Sequence, residues 1–214
     1  MFAAGCTPFH LSDDHITSGL QSPSLDIAAL ACAPVATLGV AAPGSIQGLS
    51  LTVSHALSTA LTQASPPIRA IPMPEALNRL TDQGLAGEYA ELLASFGRGG
   101  VLDRARLERI GAALGSRYVL QPGLAEFSQT VLDKFEFTGL KIVRTRVSLL
   151  RLWLQLWDAR TGHLLSESTG EVTVATPVIA TESTVSLADI AQKLWSSMIK
   201  QDLLRSASES WRCP

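Results

Sequence analysis

The stretch VSLLRLWLQLWDARTGHLL, from Val147 to Leu165, decides the fold of this chain. Successive side chains of a β-strand point to opposite faces of the sheet. One face of the predicted strand is continuous leucine from position 150 to 156, and the other carries Val147, Leu149, Arg151, Trp153, Gln155 and Trp157. A strand that is apolar on both faces is usually covered on both faces. We therefore expect a sheet with helices on either side of it.

The residues Asp158 to Gly162 predict a tight turn that leads into a return strand. An Asp side chain accepts hydrogen bonds from backbone N–H groups two residues further on, and Gly tolerates a positive φ. Asp158 and Arg160 could also be taken for a catalytic pair, but turn chemistry explains both residue types. We interpret Asp158 and Gly162 as structural residues.

Three side chains of the long strand, Arg151, Trp153 and Trp157, are candidates for an interface with another molecule. The two tryptophans could equally belong to the core of the domain. Their burial decides between these two interpretations.

The rest of the chain predicts strands that alternate with helices. In chain order we expect a strand at 35–40, a helix capped by Ser45, a short strand at 68–73, two helical pieces on either side of 84–87, a loop at 97–100, a helix from Asp103 to Gly115, a strand at 118–127 and a final amphipathic helix with a capping box at Ser186 and Asp189. This order predicts a three-layer α/β/α sandwich with a mixed central sheet and a C-terminal amphipathic helix.

The organisation along the chain follows from the same patterns. Residues 1–33 have weak periodicity and are interpreted as a leader or tether. Residues 34–204 are expected to form a single α/β domain, and residues 205–214 a loose tail. Residues 128–146 are ambiguous.

Composition excludes several classes of function. Charged residues make up 17% of the chain, the net charge is −2 and the arginines are not gathered into a basic footprint for nucleic acid. The Gly-rich segment 97–100 lacks the Gly-Lys-Ser/Thr ending of a phosphate loop, and no nucleophile elbow occurs. The four histidines are scattered, and His55 lies beside the apolar face of its helix. We expect no catalytic residue, no metal, no cofactor and no small-molecule substrate.

Two segments resemble a known pattern. IGAALGSRYVLQPGLAEF, residues 110–127, is similar to the element klGadyvv-G-v-ef, and LWLQLWDARTGHLL, residues 152–165, is similar to a strand of the form l-lrliDvrTGevl. Bacterial envelope lipoproteins related to the curli-secretion lipoprotein CsgG and to the amino-terminal domain of TolB share these elements. The resemblance extends over residues 34–204 and is poor over 69–97. It implies an exported, often lipid-anchored α/β domain that acts through protein contacts.

The cysteines bear on export and anchoring. The sequence Ala-Ala-Gly-Cys that ends at Cys6 is similar to a lipobox, which makes Cys6 the candidate for lipid attachment. Only five residues precede Cys6, so the export signal is absent from the chain as given and is expected upstream of Met1. A Cys32–Cys213 disulfide is possible if the chain is exported.

These observations favour a non-catalytic, periplasm-facing protein-interaction domain, anchored to the outer membrane, that supports assembly or secretion of an envelope complex. Its partners would be envelope proteins or further copies of itself. One alternative is a subunit of a CsgG-like outer-membrane secretion channel, although residues 128–146 have room for one membrane hairpin at most, and Arg144 and Arg146 interrupt its apolar alternation. Another alternative is an enzyme with a dispersed site.

Overall fold

The computed structural model describes residues 11–23, 25–136, 141–177 and 185–205. Their strands are β1 (Leu11–Gln21), β2 (Val35–Thr37), β3 (Ala70–Ile71), β4 (Tyr118–Glu136), β5 (Lys141–Asp158) and β6 (His163–Pro177). Their α-helices are α1 (Ile27–Cys32), α2 (Ser50–Gln63), α3 (Met73–Asp82), α4 (Ala86–Gly99), α5 (Arg104–Leu114) and α6 (Leu187–Met198). A 3₁₀ segment, Gly44–Leu49, precedes α2, and a π-helical turn, Ile199–Leu203, extends α6.

The six strands form one mixed sheet in the order β1-β6-β5-β4-β2-β3. Strand β2 runs parallel to both of its neighbours, β3 and β4. The other pairs, β4–β5, β5–β6 and β1–β6, are antiparallel. The sheet therefore has a short parallel half and a long antiparallel half, and the two halves meet at β4.

Helices α2 and α6 cover one face of the sheet. The even-numbered leucines of β5, from Leu150 to Leu156, belong to the hydrophobic cluster beneath these helices and are at most 2% exposed. Trp195 of α6 is fully buried in this cluster, and its indole N–H donates to the carbonyl of Val53, 3.2 Å away. Gly170 on β6 allows α6 to approach closely, because a Cβ there would lie 2.8 Å from the Met198 sulfur.

Helices α3, α4 and α5 cover the opposite face, which gives a second hydrophobic cluster. Asp103 caps α5 by accepting a hydrogen bond from the Arg106 N–H at 2.9 Å, and Gly115 ends the helix with φ +65°. A Cβ at Gly111 would lie 2.5 Å from the Ala159 Cβ, so α5 rests directly on the β5–β6 turn. The three-layer α/β/α arrangement and the C-terminal helix are confirmed.

The capping signals had mixed outcomes. Ser186 and Asp189 form the predicted capping box of α6. Ser45 does not cap α2, since it lies within the 3₁₀ segment and α2 begins only at Ser50. The loop predicted at 97–100 is also wrong, because α4 continues to Gly99 and only Gly100 takes the left-handed conformation that ends it.

The prediction that residues 1–33 form a tether is wrong for most of its described part. Residues 11–21 form the edge strand β1, paired with β6, and residues 27–32 form α1. Backbone hydrogen bonds hold β1, while its side chains from Asp14 to Gln21 are exposed except for the half-buried Ile16. A strand held in this way leaves little apolar alternation to detect. Residues 1–10 and 206–214 lie outside the described residues.

Candidate interaction surface

Among the described residues, no helix lies over half of the sheet on its outer side, the side of α3–α5. The cluster beneath those helices draws on β2, β3, β4 and the end of β5; among the described residues, only Leu164 comes from β6 and none comes from β1. The outer side of β5, β6 and β1 therefore faces solvent. The expectation that the long strand is covered on both faces holds for its C-terminal part, where Trp157 is 4% exposed, and fails at the exposed Arg151.

Arg151 is the centre of an ion-pair ladder on this uncovered face. Its guanidinium donates to Glu171 on β6 at 2.6 and 2.9 Å and to Glu126 on β4 at 3.1 Å. The three residues lie opposite one another on adjacent strands, and each side chain is between 41% and 46% exposed. The hydrogen bond to Glu171 is the main cause that raises the pKa of Arg151. The ladder is a polar, net-acidic patch whose side chains are exposed to water over somewhat less than half of their surface.

A second polar pair lies on the same face of β5 and β6, four residues along each strand and beyond the pair of Trp153 and Thr169. The side-chain amide of Gln155 donates to Glu167 at 2.8 Å, and the Trp157 indole N–H donates to the Gln155 carbonyl oxygen at 3.1 Å. Trp157 is thus a core residue with a satisfied N–H, and the prediction that it belongs to an interface is wrong. On the other side of the ladder, His15 of β1 lies opposite Glu171 and is exposed.

Trp153 lies at the border between the covered and uncovered parts of this face. Its indole extends over Gly123 on β4, where a Cβ would come within 1.8 Å of the ring. On its other side it contacts Phe96 of α4, with the ring centroids 5.6 Å apart and the planes tilted by 34°. Trp153 is half-buried, so only part of its side chain can contact another molecule.

Beyond both hydrophobic clusters, β4 and β5 continue as a segment that we call the hairpin arm, and the β5 side of this segment is also paired with residues 173–177 of β6. We define this arm as residues 128–133 of β4 and 144–149 of β5; none of them belongs to either cluster. Arg144 pairs with Asp133 at 2.9 Å, and Gln129 donates to the Ser148 hydroxyl at 3.0 Å. These cross-strand contacts hold the two strands in register.

The hairpin arm exposes two large apolar side chains. Val131 is 50% exposed and Leu132 is 46% exposed. Because they are consecutive in a strand, they point to opposite faces of the arm. These two side chains give the arm one apolar contact point on each of its faces.

Asp158 is fully engaged in the turn. It is buried and accepts hydrogen bonds from the Arg117 guanidinium at 2.8 and 2.9 Å and from the backbone N–H groups of Arg160 at 2.9 Å and Thr161 at 3.3 Å. Gly162 has φ +72° and packs against Arg104. The bond to Asp158 is the main cause that raises the pKa of Arg117. These contacts tie β4 to the β5–β6 turn.

The remaining predicted residues concern cysteines and metals. Cys32 is disulfide-bonded, while Cys6 and Cys213 lie outside the described residues, so the Cys32–Cys213 pairing and the lipid attachment at Cys6 stay predictions. Within the described ranges no group of three His, Cys, Asp or Glu residues could hold a metal ion. No helix in this part of the chain is long and apolar enough to cross a membrane.

No protein-family model matches the sequence, and no curated protein matches it. Several solved structures are similar to this chain at low sequence identity. The PelC dodecamer from Paraburkholderia phytofirmans is 12% identical, with 88% of this chain and 95% of that chain covered and a TM-score of 0.45. Lipoprotein GNA1162 from Neisseria meningitidis is 16% identical, with coverages of 79% and 96% and a TM-score of 0.44.

The C-terminal domain of LpoB from Salmonella enterica is 15% identical, with 70% of this chain and 86% of that chain covered and a TM-score of 0.39. One of these structures, GNA1162, is named as a lipoprotein. At these identities the likeness concerns the fold alone. The finer resemblance to the CsgG and TolB families stays a prediction.

Proposed function

We propose that this chain is a non-catalytic protein-interaction domain of the bacterial cell envelope, held at the outer membrane by a lipid on Cys6 and facing the periplasm. The observation that carries the proposal is the hairpin arm, which exposes Val131 and Leu132 on opposite faces beyond the core of the domain. Leu132 is paired with Thr145, which lies on the same face of β5 as Arg151, so Leu132 extends the uncovered face of β5, β6 and β1 as a surface for envelope proteins or for another copy of the chain, while Val131 points to the opposite side.

The arm and the uncovered face have different parts in this proposal. Burying Val131 and Leu132 against a partner supplies apolar contact area, and each buried methylene contributes about 0.8 kcal/mol. The ladder of Glu126, Arg151 and Glu171 supplies charge complementarity, which sets orientation and excludes wrong partners more than it adds affinity. A partner with basic side chains opposite the two glutamates fits this surface.

Two further features support the proposal. The buried carboxylate of Asp158, which the sequence allows as a catalytic group, uses its oxygens for Arg117 and the turn backbone. The disulfide at Cys32 fits an oxidising compartment, because disulfides persist in exported proteins and are rare in the cytosol. The contacts of Asp158 agree with a structural role for this residue. The disulfide agrees with a location outside the cytoplasm.

The experiment that tests the proposal compares association of the full chain and its variants in envelope preparations. Val131→Asp and Leu132→Asp place a charge on each face of the arm and should abolish a defined crosslinked species. Val101→Asp is the matched control, because Val101 is 62% exposed and lies outside the arm. Equal crosslinking in all three variants would show that the hairpin arm is not the interaction surface.

A further inference from the structure

A cavity of about 260 Å³ lies away from the hairpin arm, where β2 and β3 end and α3 begins. It is lined by Thr37, Leu51, Ser54, His55, Ser58, Pro72, Met73 and Pro74. In sheets with parallel strands, ligands bind in the crevice outside the carboxyl ends of the strands. Thr37 is the last residue of β2, whose two neighbours both run parallel to it. The cavity therefore lies at the edge of the parallel half where this architecture places ligands.

The polar groups of the cavity have no partners within the described part of the protein. Thr37 is only 5% exposed, it lines the cavity, and its hydroxyl makes no hydrogen bond to any described residue. The Thr37 hydroxyl is open to the cavity and not sealed inside the protein, so a bound ligand can pair with it. The side chains of Ser54, His55 and Ser58 line the same cavity from one side of α2 and are likewise without hydrogen bonds to described residues.

The start of α3 adds a positive end to the cavity. This helix has 10 residues, its N-cap is Pro72, and no side chain caps it. Pro72 and Pro74 carry no backbone N–H, so the N–H groups that this end offers are those of Met73 and Glu75, and these attract negative charge. The cavity lining contains no Asp or Glu. Glu75, in the first turn of α3, is exposed and paired with Arg79 at 2.5 Å, outside the lining.

We propose that this cavity binds a small oxyanion, a phosphate or carboxylate group. The hydroxyls of Thr37, Ser54 and Ser58 and the imidazole of His55 donate to its oxygens, at the uncapped end of α3. Leu51, which is 71% exposed, and Met73 cover the carbon part of the ligand at the mouth. The volume lies below the roughly 300–1,000 Å³ of pockets for larger ligands, so a small group fits better than an extended molecule.

The test uses the full chain and follows backbone amide shifts by NMR during titration with inorganic phosphate and, separately, with acetate. We expect saturable shifts at Thr37, Ser54, Ser58 and the start of α3, with a dissociation constant of the order of 1 mM for phosphate. Thr37→Val should weaken binding at least tenfold, which corresponds to about 1.4 kcal/mol. A second arm measures sedimentation with phosphatidylglycerol vesicles, because a lipid headgroup could supply the same phosphate.

Matched variants separate binding from folding. Because the Thr37 hydroxyl is unpaired, Thr37→Val should leave thermal stability unchanged or raise it while binding is lost. The double variant Ser54→Ala/Ser58→Ala gives an independent loss of binding from exposed or half-buried positions. Thr62→Ala is the control, since Thr62 lies one turn further along α2 and donates to the backbone of Ser58, outside the lining.

Each outcome decides the proposal. Phosphate or acetate binding that is lost in the cavity variants and kept in Thr62→Ala supports a site for free anions. If the protein binds vesicles but not free phosphate or acetate, and the cavity variants lose vesicle binding, a lipid headgroup is the source of the phosphate. Absence of both, or binding that the cavity variants retain, overturns the proposal and leaves the interaction surface on the arm unaffected.

Discussion

The indole ring of Trp153 lies directly on the backbone of Gly123, its cross-strand neighbour in the β4–β5 pair. A Cβ at position 123 would come within 1.8 Å of the ring, so glycine is required there by contact and not by a positive φ. The same ring contacts Phe96 of α4. This relationship fixes where the helices of the outer layer stop and the uncovered face begins.

Gly123→Val should destabilise the fold, because the side chain forces the Trp153 ring off the sheet and away from Phe96. Overpacking of this kind costs about 1–3 kcal/mol. Chemical denaturation of the variant measures the cost. The double variant Gly123→Val/Trp153→Leu should recover part of the lost stability, and a double variant that is less stable than Gly123→Val alone would contradict the contact.

Asp158→Ala should be more damaging than Asp133→Ala, although both remove a partner of an arginine. Asp158 is 3% exposed and also holds two backbone N–H groups, whereas Asp133 is 46% exposed. We expect Asp158→Ala to cost about 2 kcal/mol, since hydrogen bonds to charged groups contribute about 1.5–3 kcal/mol. Asp133→Ala should leave the midpoint of thermal unfolding unchanged. Equal losses in the two variants would contradict the structural role of Asp158.

Arg151→Glu should lower thermal stability in low salt, because it places three acidic side chains on adjacent strands. The effect should shrink in high salt, which screens exposed charges. Arg151→Met removes the attraction without adding repulsion and should change the midpoint less. A loss in Arg151→Glu that is independent of salt would show that the ladder does not act through charge.

Peptide mass mapping under non-reducing conditions should join Cys32 to Cys213 and leave Cys6 free for a lipid. The physical reason is that a single cysteine cannot be both acylated on its sulfur and disulfide-bonded. Cys213→Ser should then leave Cys32 as a free thiol. A Cys6–Cys32 bridge in the mature protein would contradict the anchoring proposed here.

The elements that the sequence predicted are those whose signal is local. The leucine face of β5, the Asp103 cap, the Gly115 stop and the Ser186 capping box each depend on neighbouring residues, and the structure confirms them. The three-layer architecture followed from one strand that is apolar on both faces. Such signals are visible without knowing which strands lie side by side.

The elements that the sequence missed depend on distant pairing. Strand β1 is held by backbone bonds to β6, about 150 residues away by the register of His15 and Glu171. The hairpin arm lacks apolar alternation because its β4 side is exposed from 128 to 133, while its β5 side carries the buried Ser148 among partly buried residues. The exposure of Arg151 depends on how far α3–α5 extend across the sheet, which no local pattern records. The polar face of α2 that lines the cavity can be detected in the sequence. Its proximity to Thr37 and Pro72 cannot, because it depends on the tertiary fold.

The central claim is that the hairpin arm is where this domain meets its partner. The most direct measurement is site-specific photocrosslinking of the full chain in living cells, with the probe at Val131, at Leu132 and, as a control, at Val101. We expect a discrete adduct with an envelope protein or a second copy of the chain from both arm positions, and none from Val101. If the probes at Val131 and Leu132 give no adduct, or if the probe at Val101 gives one of equal strength, the hairpin arm is not the site of contact.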